Sequence, residues 1–454
     1  MKRKILQTIM MGASLSAAAQ LAQTGYMMTN NPLMHEMNPA FQPDRAYISL
    51  PLLGGTGVSW RSSMAMDDLL FDTPSGKLTT FMSRGTISKD DLMKKVGEGF
   101  STTADARVTL FSMGKRKGPI RYQTWDISWR NTADAYVPSD VFRCLKDVEN
   151  GTFDFSRTGV SLSSLLAVSM GQSFRFTPIV SIGFKANVLL GIMHADLEME
   201  NLQVQLSDDR WTAQGNVTAN VSGLRYKDTV HDYKGRPGSY KAISGFSVGG
   251  LGLNGAGLSL DAGVIVKPLP GLSISASVLD LGFVSWFRSQ HASNSGEPFE
   301  FSGLHNATID RDDDNSAQKQ VDRLGDDLMD MINLQDKGRQ NNLRMLGATV
   351  NAGVQWKGLL FRAGAVVTAR ISSQYSWVEG RLQGGIKPCP WFSATLSPSY
   401  SRFGLALGAM ADFSITSGTH ITLSSDRLAI YKLNRQYIPK SLSADVQLGV
   451  TFGL

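Results

Sequence analysis

Residues 441–454 read Ser-Leu-Ser-Ala-Asp-Val-Gln-Leu-Gly-Val-Thr-Phe-Gly-Leu, and this stretch decides the fold class. Apolar side chains occupy every second position from Leu442 to Leu454, and Ser, Asp, Gln, Gly and Thr fill the positions between them. A period of two residues is that of a β-strand with one apolar and one polar face. The chain therefore ends on the apolar face of a predicted strand.

The same alternation recurs along most of the chain, in runs that begin at Val180, Leu258, Leu346, Phe361 and Phe403. These runs match a tilted membrane-crossing strand of about 9–11 residues. Their second face carries Gly, Ser, Thr and Asn with scattered Arg, Lys and Asp, which suits a hydrated or plugged lumen better than the outside of a soluble sandwich. The pattern predicts an all-β protein, a closed antiparallel transmembrane β-barrel of about 14 strands (range about 12–16), because single-chain bacterial barrels have even strand numbers.

Neighbouring strands are joined by predicted short turns, such as the Pro-rich stretches 267–271 and 387–390. After Leu272 the apolar positions change phase near Val278, and a β-bulge would explain the change. The predicted strands are 162–174 with 179–195, 257–268 with 272–286, 344–356 with 358–371, 375–386 with 392–400, and then 403–415, 419–430 and 441–454.

Three segments break the alternation. Residues 88–96 and 139–148 each open on a Ser that can cap a short helix, and residues 321–331 form a longer amphipathic pattern after an acidic run. We expect these helices in extracellular loops or in lids folded inward. The acidic run at 310–314 could bind calcium, but it lacks the spacing of a calcium loop and fits a solvated loop better.

The N-terminus has the pattern of a secretory signal peptide, residues 1–19. Lys2, Arg3 and Lys4 precede a short apolar stretch, and the stretch 17–19 is Ala-Ala-Ala, a cleavage pattern before Gln20. These three basic residues account for half of the formal net charge of +6, so the charge gives no support for nucleic-acid binding. We therefore expect export to the cell outer membrane.

Motifs of enzymes occur without their structural context. The stretch 245–249, Gly-Phe-Ser-Val-Gly, matches a hydrolase nucleophile elbow, but the glycines that follow cannot form the required helix. The same glycines spell a dinucleotide-binding pattern outside any βαβ unit. The six histidines show no metal-ligand spacing. We therefore predict no enzyme, no catalytic or metal residues and no cofactor, although a spatial Ser–His pair on the outer wall stays open. Cys144 and Cys389 could form a disulfide or remain two thiols.

Several stretches together resemble a known family. They are Asn38-Pro39-Ala40-Phe41 with 48–53, Pro138-Ser139-Asp140 with Asn150-Gly151, and Ser275–Phe283 ending at Trp286. With them the chain resembles an uncharacterised family of outer-membrane barrels typical of Bacteroidota, which is itself similar to the long-chain fatty-acid transporters. The resemblance implies a barrel over residues 47–454 with residues 20–46 tucked inside as a plug.

The resemblance also implies two candidate functions. Fatty-acid transporters use such a plug to gate a hydrophobic ligand that leaves through a lateral opening, so we expect a channel for a small hydrophobic ligand. Displacement of residues 38–41 would open a path beside the irregularity near Val278. The alternative is a non-transporting secretion-system or surface-assembly protein whose loops at 287–343 bind a partner. Other expected partners are outer-membrane lipid and the barrel assembly machinery. The candidate ligand or gating residues are Asn38, Pro39, Phe41, Asp280, Arg362 and Arg370.

Overall fold

The computed structural model describes most of the chain beyond the predicted signal peptide. The described residues are 23–49, 51–52, 54–72, 78–83, 85–146, 150–207, 211–232, 239–248, 252–294, 299–301, 334–416, 418–428 and 443–454. The predicted signal peptide, the acidic run at 310–314 and the predicted helix at 321–331 lie outside these residues. Among the described residues, no helix has the length and apolar character needed to cross a membrane.

Strands dominate the structure. They are β1 Tyr47–Ser49, β2 Thr56–Ser62, β3 Leu70–Asp72, β4 Leu78–Thr80, β5 Gly99–Lys117, β6 Arg121–Pro138, β7 Gly151–Asp154, β8 Gly159–Arg175, β9 Val180–Leu206, β10 Trp211–Ser222, β11 Leu224–Asp232, β12 Ser239–Val248, β13 Gly255–Leu269, β14 Leu272–Ser293, β15 Phe299–Phe301, β16 Gln335–Met345, β17 Ala348–Lys357, β18 Phe361–Ile371, β19 Trp377–Cys389, β20 Phe392–Ser401, β21 Gly404–Ser414, β22 His420–Ser425 and β23 Ala444–Gly453. The helices are α1 Met66–Leu69, α2 Lys89–Val96 and α3 Ser139–Lys146, with two 3₁₀ turns at Gln23–Gly25 and Pro32–Glu36.

The sheet closes on itself because its first strand pairs with its last. Strand β2 pairs antiparallel with β5 on one side, Val58 opposite Ala106, and with β23 on the other, Val58 opposite Val446. Strand β1 pairs with the same two strands, β23 and β5, further along their length. The result is a closed antiparallel barrel of 14 wall strands, which confirms the predicted fold class.

Two further wall strands are composite, besides the one that β1 and β2 share. Strand β9 pairs first with β10 and then with β13, because the chain leaves the wall at Gly223 for the β11–β12 hairpin and returns at Asn254. Asn254 fills the break: its backbone N–H donates to Gly191 O over 2.8 Å and its side-chain Nδ2 donates to Ile192 O over 2.7 Å. Strands β16 and β17 likewise share one place beside β14.

The two faces of the wall have opposite character. Along β13, Leu258 and Leu260 point outward and are 56% and 62% exposed. Ser259 and Asp261, which alternate with them, are 2% and 3% exposed. Polar side chains are thus buried inside and large apolar ones are exposed outside, the inverse of a soluble protein.

Most predicted local features are confirmed, but the predicted strand 344–356 is divided into β16 and β17, and the predicted strand 419–430 ends at Ser425. The predicted pairs of strands all form, and Ser88 caps α2 by accepting a hydrogen bond from Asp91 N. The predicted bulge lies in β14: Ala262 faces Val278 but Leu260 faces Leu281, so β14 carries one extra residue around Asp280. Cys144 and Cys389 are both free thiols. Ser247 of the elbow-like motif lies within the hairpin strand β12, not at a turn from a strand into a helix.

Candidate functional site

The N-terminal segment, residues 23–46, lies across the lumen of the barrel. Its backbone is held by the inward polar face of the wall: Gln23 N and Thr24 N donate to Asp426 over 2.9 and 2.8 Å, and Ser277 Oγ donates to Met37 O over 2.8 Å. Further wall residues that bond to the segment are Arg107, Asp126, Gln355, Arg362, Arg381, Gln383 and Thr422. These residues come from strands all around the barrel, so the segment is docked on many sides at once.

The stretch Asn38–Phe41 docks where two glycines leave room for it. The Asn38 side chain accepts from Ala40 N over 3.0 Å and donates to Ala276 O over 3.2 Å. A Cβ added at Gly183 would stand 2.0 Å from Pro39 O, and one at Gly263 would stand 2.1 Å from Asn38 Oδ1. Any side chain at these two wall positions would therefore collide with the segment.

Apolar contacts complete this docking site. Phe41 packs in a buried cluster with Tyr26, Met37 and Ile265, of which Ile265 comes from β13. Arg362 donates through Nη1 to Met28 O. This contact lies near the end of the barrel at which short turns, such as residues 358–360, join the strands, and we call this end the short-turn end. Of the six predicted site residues, Asn38, Pro39 and Phe41 therefore belong to the docked segment, and Arg362 bonds to the segment at Met28.

The other two, Asp280 and Arg370, line a separate cavity of about 330 Å³ in the lumen. The cavity reaches Ser372 and Ser373, which follow the end of β18. It therefore lies toward the end of the barrel opposite the short turns, which we call the long-loop end. Glu36 and Met37 of the N-terminal segment line it as well. The segment and the cavity are therefore neighbours, and anything held in the cavity would contact the segment.

One side of the cavity is apolar, against the rule of a polar inner face. Leu165, Leu189, Val284, Trp286 and Leu346 form a buried cluster there, which we call the apolar patch. The Trp286 ring stacks on His194 with ring centres 4.8 Å apart and planes 9° from parallel.

Much of the remaining lining is charged, and ion pairs join many of these charges. Five ion pairs contribute, with nitrogen–oxygen distances of 2.7 Å for Arg107–Glu36, 2.6 Å for Arg130–Asp280, 3.2 Å for Lys185–Asp261, 2.9 Å for Arg344–Glu198 and 3.1 Å for Arg370–Asp105. Pairing compensates the cost of removing these charges from water. The cavity is thus amphipathic: one side is apolar, and ion pairs line much of the rest.

The wall is irregular beside the apolar patch. Asp280 adopts a positive φ of 59°, and its N–H donates to Asp261 Oδ1 over 2.7 Å instead of to the neighbouring strand. On the other side of β14, Leu279 faces Thr349 and Phe283 faces Met345, and a bond from Leu346 N to Gly282 O spans the interval. The sheet is therefore irregularly bonded where the cavity meets it.

A metal role is disfavoured for the most compact cluster of ligand types in the described ranges, namely His35, Glu36 and Asp126, whose ligand atoms lie within 4.8 Å of one another. Glu36 is already paired with Arg107 at 2.7 Å. His35 contacts both carboxylate oxygens of Asp126 at 3.1 Å. Positive charge is therefore supplied by the chain itself, and we describe the cluster as ion pairs.

These features define a class, the closed fourteen-stranded β-barrel with a docked N-terminal segment beside a lumen cavity. The sequence profile of a family of unknown function, DUF5723, matches residues 39–426. The chain therefore belongs to this family.

Solved structures to which the chain is similar include two toluene transporters and a FadL homologue. The chain is similar to the toluene transporter TbuX of Ralstonia pickettii at 8% identity and a TM-score of 0.40, covering 96% of this chain and 93% of that one. It is similar to a FadL homologue of Pseudomonas aeruginosa at 10% identity and 0.38, covering 96% and 99%. The toluene transporter TodX of P. putida matches at 9% identity and 0.36, covering 96% and 93%.

Proposed function

We propose that the protein is an outer-membrane channel that takes a small, mainly apolar ligand into its lumen. The observation that carries the proposal is the apolar patch around Leu189 and Trp286, which interrupts a polar inner face and borders the irregular stretch of the wall. Burial of apolar ligand surface there would contribute roughly 25 cal/mol per Å². The exposed apolar outer face supports a position in a membrane.

In this proposal the N-terminal segment is the plug of the channel. It contacts the cavity through Glu36 and Met37 and is tied to the wall by many separate polar contacts. A ligand in the cavity would compete with the docking of residues 37–41, and the segment would shift toward the short-turn end. The ligand would then leave the cavity along a path beside the bulge at Asp280. We further propose that residues 1–19 are removed on export, so that sequencing of the mature protein should begin at Gln20.

Binding of an apolar fluorescent probe, N-phenyl-1-naphthylamine, to the purified barrel in detergent tests the cavity. We expect saturable binding that Leu189→Gln weakens about tenfold, because a buried amide without a partner costs about 1–3 kcal/mol. Thr395→Val is the matched control, since Thr395 faces the lumen but lies outside the cavity. Equal affinity in all three proteins, or no saturable binding, would contradict the proposal.

A second candidate is a non-transporting protein that binds a partner at the cell surface. Strand β9 has 27 residues, far more than the roughly 9–11 that cross a membrane. Its outer part packs with β7 and β10 around a separate buried core that includes Phe153, Leu202 and Val217. Strand β10 of this extension also pairs with the end of β14 and with β15, which are described parts of the predicted loop region 287–343. Co-purification of one stoichiometric partner, lost when residues 302–333 are deleted, would favour this candidate.

A further inference from the structure

His35 occupies a position that requires both of its ring nitrogens to carry hydrogen. The residue is 2% exposed and belongs to the 3₁₀ turn Pro32–Glu36. Its Nδ1 lies 2.8 Å from Pro32 O, and its Nε2 lies 3.1 Å from both carboxylate oxygens of Asp126. A carbonyl and a carboxylate only accept hydrogen bonds, whereas a neutral imidazole donates only one. The geometry is that of an imidazolium.

The hydroxyl groups nearby do not change this conclusion. Tyr47 Oη lies 3.3 Å from His35 Nδ1, but it is closer to Ser112 Oγ, at 2.8 Å. Ser112 Oγ in turn donates to Asp126 Oδ1 over 2.6 Å. The shortest contact of Nδ1 therefore remains the Pro32 carbonyl, to which it donates.

The surrounding charges balance only if His35 is protonated. Glu36, beside it on the same turn, is paired with Arg107 of β5 at 2.7 Å. Lys185 of β9 is paired with Asp261 of β13 at 3.2 Å. Asp126 is then left with His35 as its ion-pair partner.

The electrostatic balance points the same way. Burial by itself lowers the pKa of His35, but the charge and hydrogen bond of Asp126 outweigh it, with help from Glu36 and against the opposing charge of Lys185. The pKa of His35 is therefore raised above its ordinary value.

Within the described ranges, two other His–Asp pairs are buried, and they differ from His35–Asp126 in the elements that they connect. His194 pairs with Asp196 on the same strand at 2.7 Å, and His420 of β22 pairs with Asp412 of β21 at 3.2 Å. Both pairs join wall to wall. His35–Asp126 joins the N-terminal segment to the wall strand β6. The contact of His35 with Asp126 therefore forms only when the segment is docked, whereas the contacts within the other two pairs are internal to the wall.

We propose that His35 is a proton-operated latch: the N-terminal segment docks with a proton held on His35 and is released as that proton is lost. In the undocked segment His35 faces water and loses its proton at a lower pH. The docking energy from this pair is fully present below the ordinary pKa of histidine and falls as pH rises through the raised value. The latch concerns docking alone and does not depend on which ligand the lumen accepts.

Hydrogen exchange of the full-length barrel in detergent, expressed as protection factors at pH 6 and pH 9, tests the latch. We expect the protection of residues 32–41 to fall several-fold at pH 9, because deprotonated His35 no longer forms an ion pair with Asp126. His35→Gln should abolish the pH dependence of protection, whatever the absolute protection of residues 32–41 in this variant. His420→Gln, the matched control, should keep the wild-type drop.

A second variant keeps the test decisive if His35→Gln fails to dock. Asp126→Asn removes the charge that holds the proton, so the loss of protection should move to lower pH. A wild-type segment with equal protection at both pH values would overturn the latch. So would a drop that persists in His35→Gln, or one that Asp126→Asn leaves at the wild-type pH.

Discussion

Arg130 Nη1 lies 2.6 Å from Asp280 Oδ1, and this ion pair ties strand β6 to the bulge of β14. The Asp280 carboxylate is 34% exposed, so water in the lumen screens the pair and its contribution to overall stability is small. Its position matters more, because the bulge is the part of the wall that the cavity meets. The pair is suited to hold a movable element in one place.

Arg130→Gln should therefore loosen the bulge without unfolding the barrel. We expect hydrogen exchange at residues 278–284 to rise several-fold, while the exchange of β18 and β19 stays unchanged. Arg121→Gln is the control, since Arg121 lies over the ring of Phe174 at the opposite, short-turn end. An unchanged exchange rate at the bulge would show that the neighbouring bond from Asp280 N to Asp261, and not the ion pair, fixes it.

Gly183→Ala should expel the stretch Asn38–Phe41 from its docking site, because the new methyl group would stand 2.0 Å from Pro39 O. Exchange of residues 37–41 should then rise at least tenfold. Gly384→Ala is a matched control on another wall strand, where an added Cβ meets nothing within 4 Å. Both variants should keep a folded barrel. Full protection of residues 37–41 in Gly183→Ala would mean that the segment docks elsewhere.

Asp426→Asn should free only the first turn of the segment. The Asp426 carboxylate accepts from Gln23 N and Thr24 N, and hydrogen bonds to a charged group contribute about 1.5–3 kcal/mol. Exchange at residues 23–26 should rise about tenfold or more while residues 35–41 stay protected. The measurement is again local hydrogen exchange. Simultaneous loss of protection over both stretches would show that the segment undocks as one unit.

Heat-modifiability tests the membrane barrel itself. A closed barrel resists unfolding by detergent at room temperature, so the unboiled protein should migrate faster on a gel than the boiled one. It should also sit in the detergent-insoluble outer-membrane fraction of expressing cells. A soluble protein that migrates identically in both states would contradict the proposed location.

The sequence predicted the barrel because alternation is a local property, and it located the bulge because a phase change near Val278 is visible in one strand. Leu189 was visible too, as the one apolar residue out of phase between Val180 and Ile192. The role of Leu189 was not visible, since the apolar patch also needs Val284 and Trp286 from β14, a strand far along the chain.

The ion pairs of the cavity could not be predicted for the same reason. Arg130 and Asp280 are 150 residues apart, and only the register of the closed sheet brings them together. The composite strand β10–β13 also escaped prediction, because its two halves are separated by a hairpin with strand character of its own. Docking of Asn38–Phe41 depends on Gly183 and Gly263. These glycines leave space for the segment, and no spacing pattern in the sequence indicates this role.

Uptake into liposomes tests the central claim most directly. Liposomes with the purified barrel, with and without Gly183→Ala, would be compared with empty liposomes for trapping of radiolabelled toluene by an internal cyclodextrin at times shorter than passive diffusion allows. We predict faster trapping with the wild-type barrel than with empty liposomes, and a further several-fold increase for Gly183→Ala. Equal rates in all three preparations would contradict a channel for apolar ligands and leave the surface-binding function as the better account.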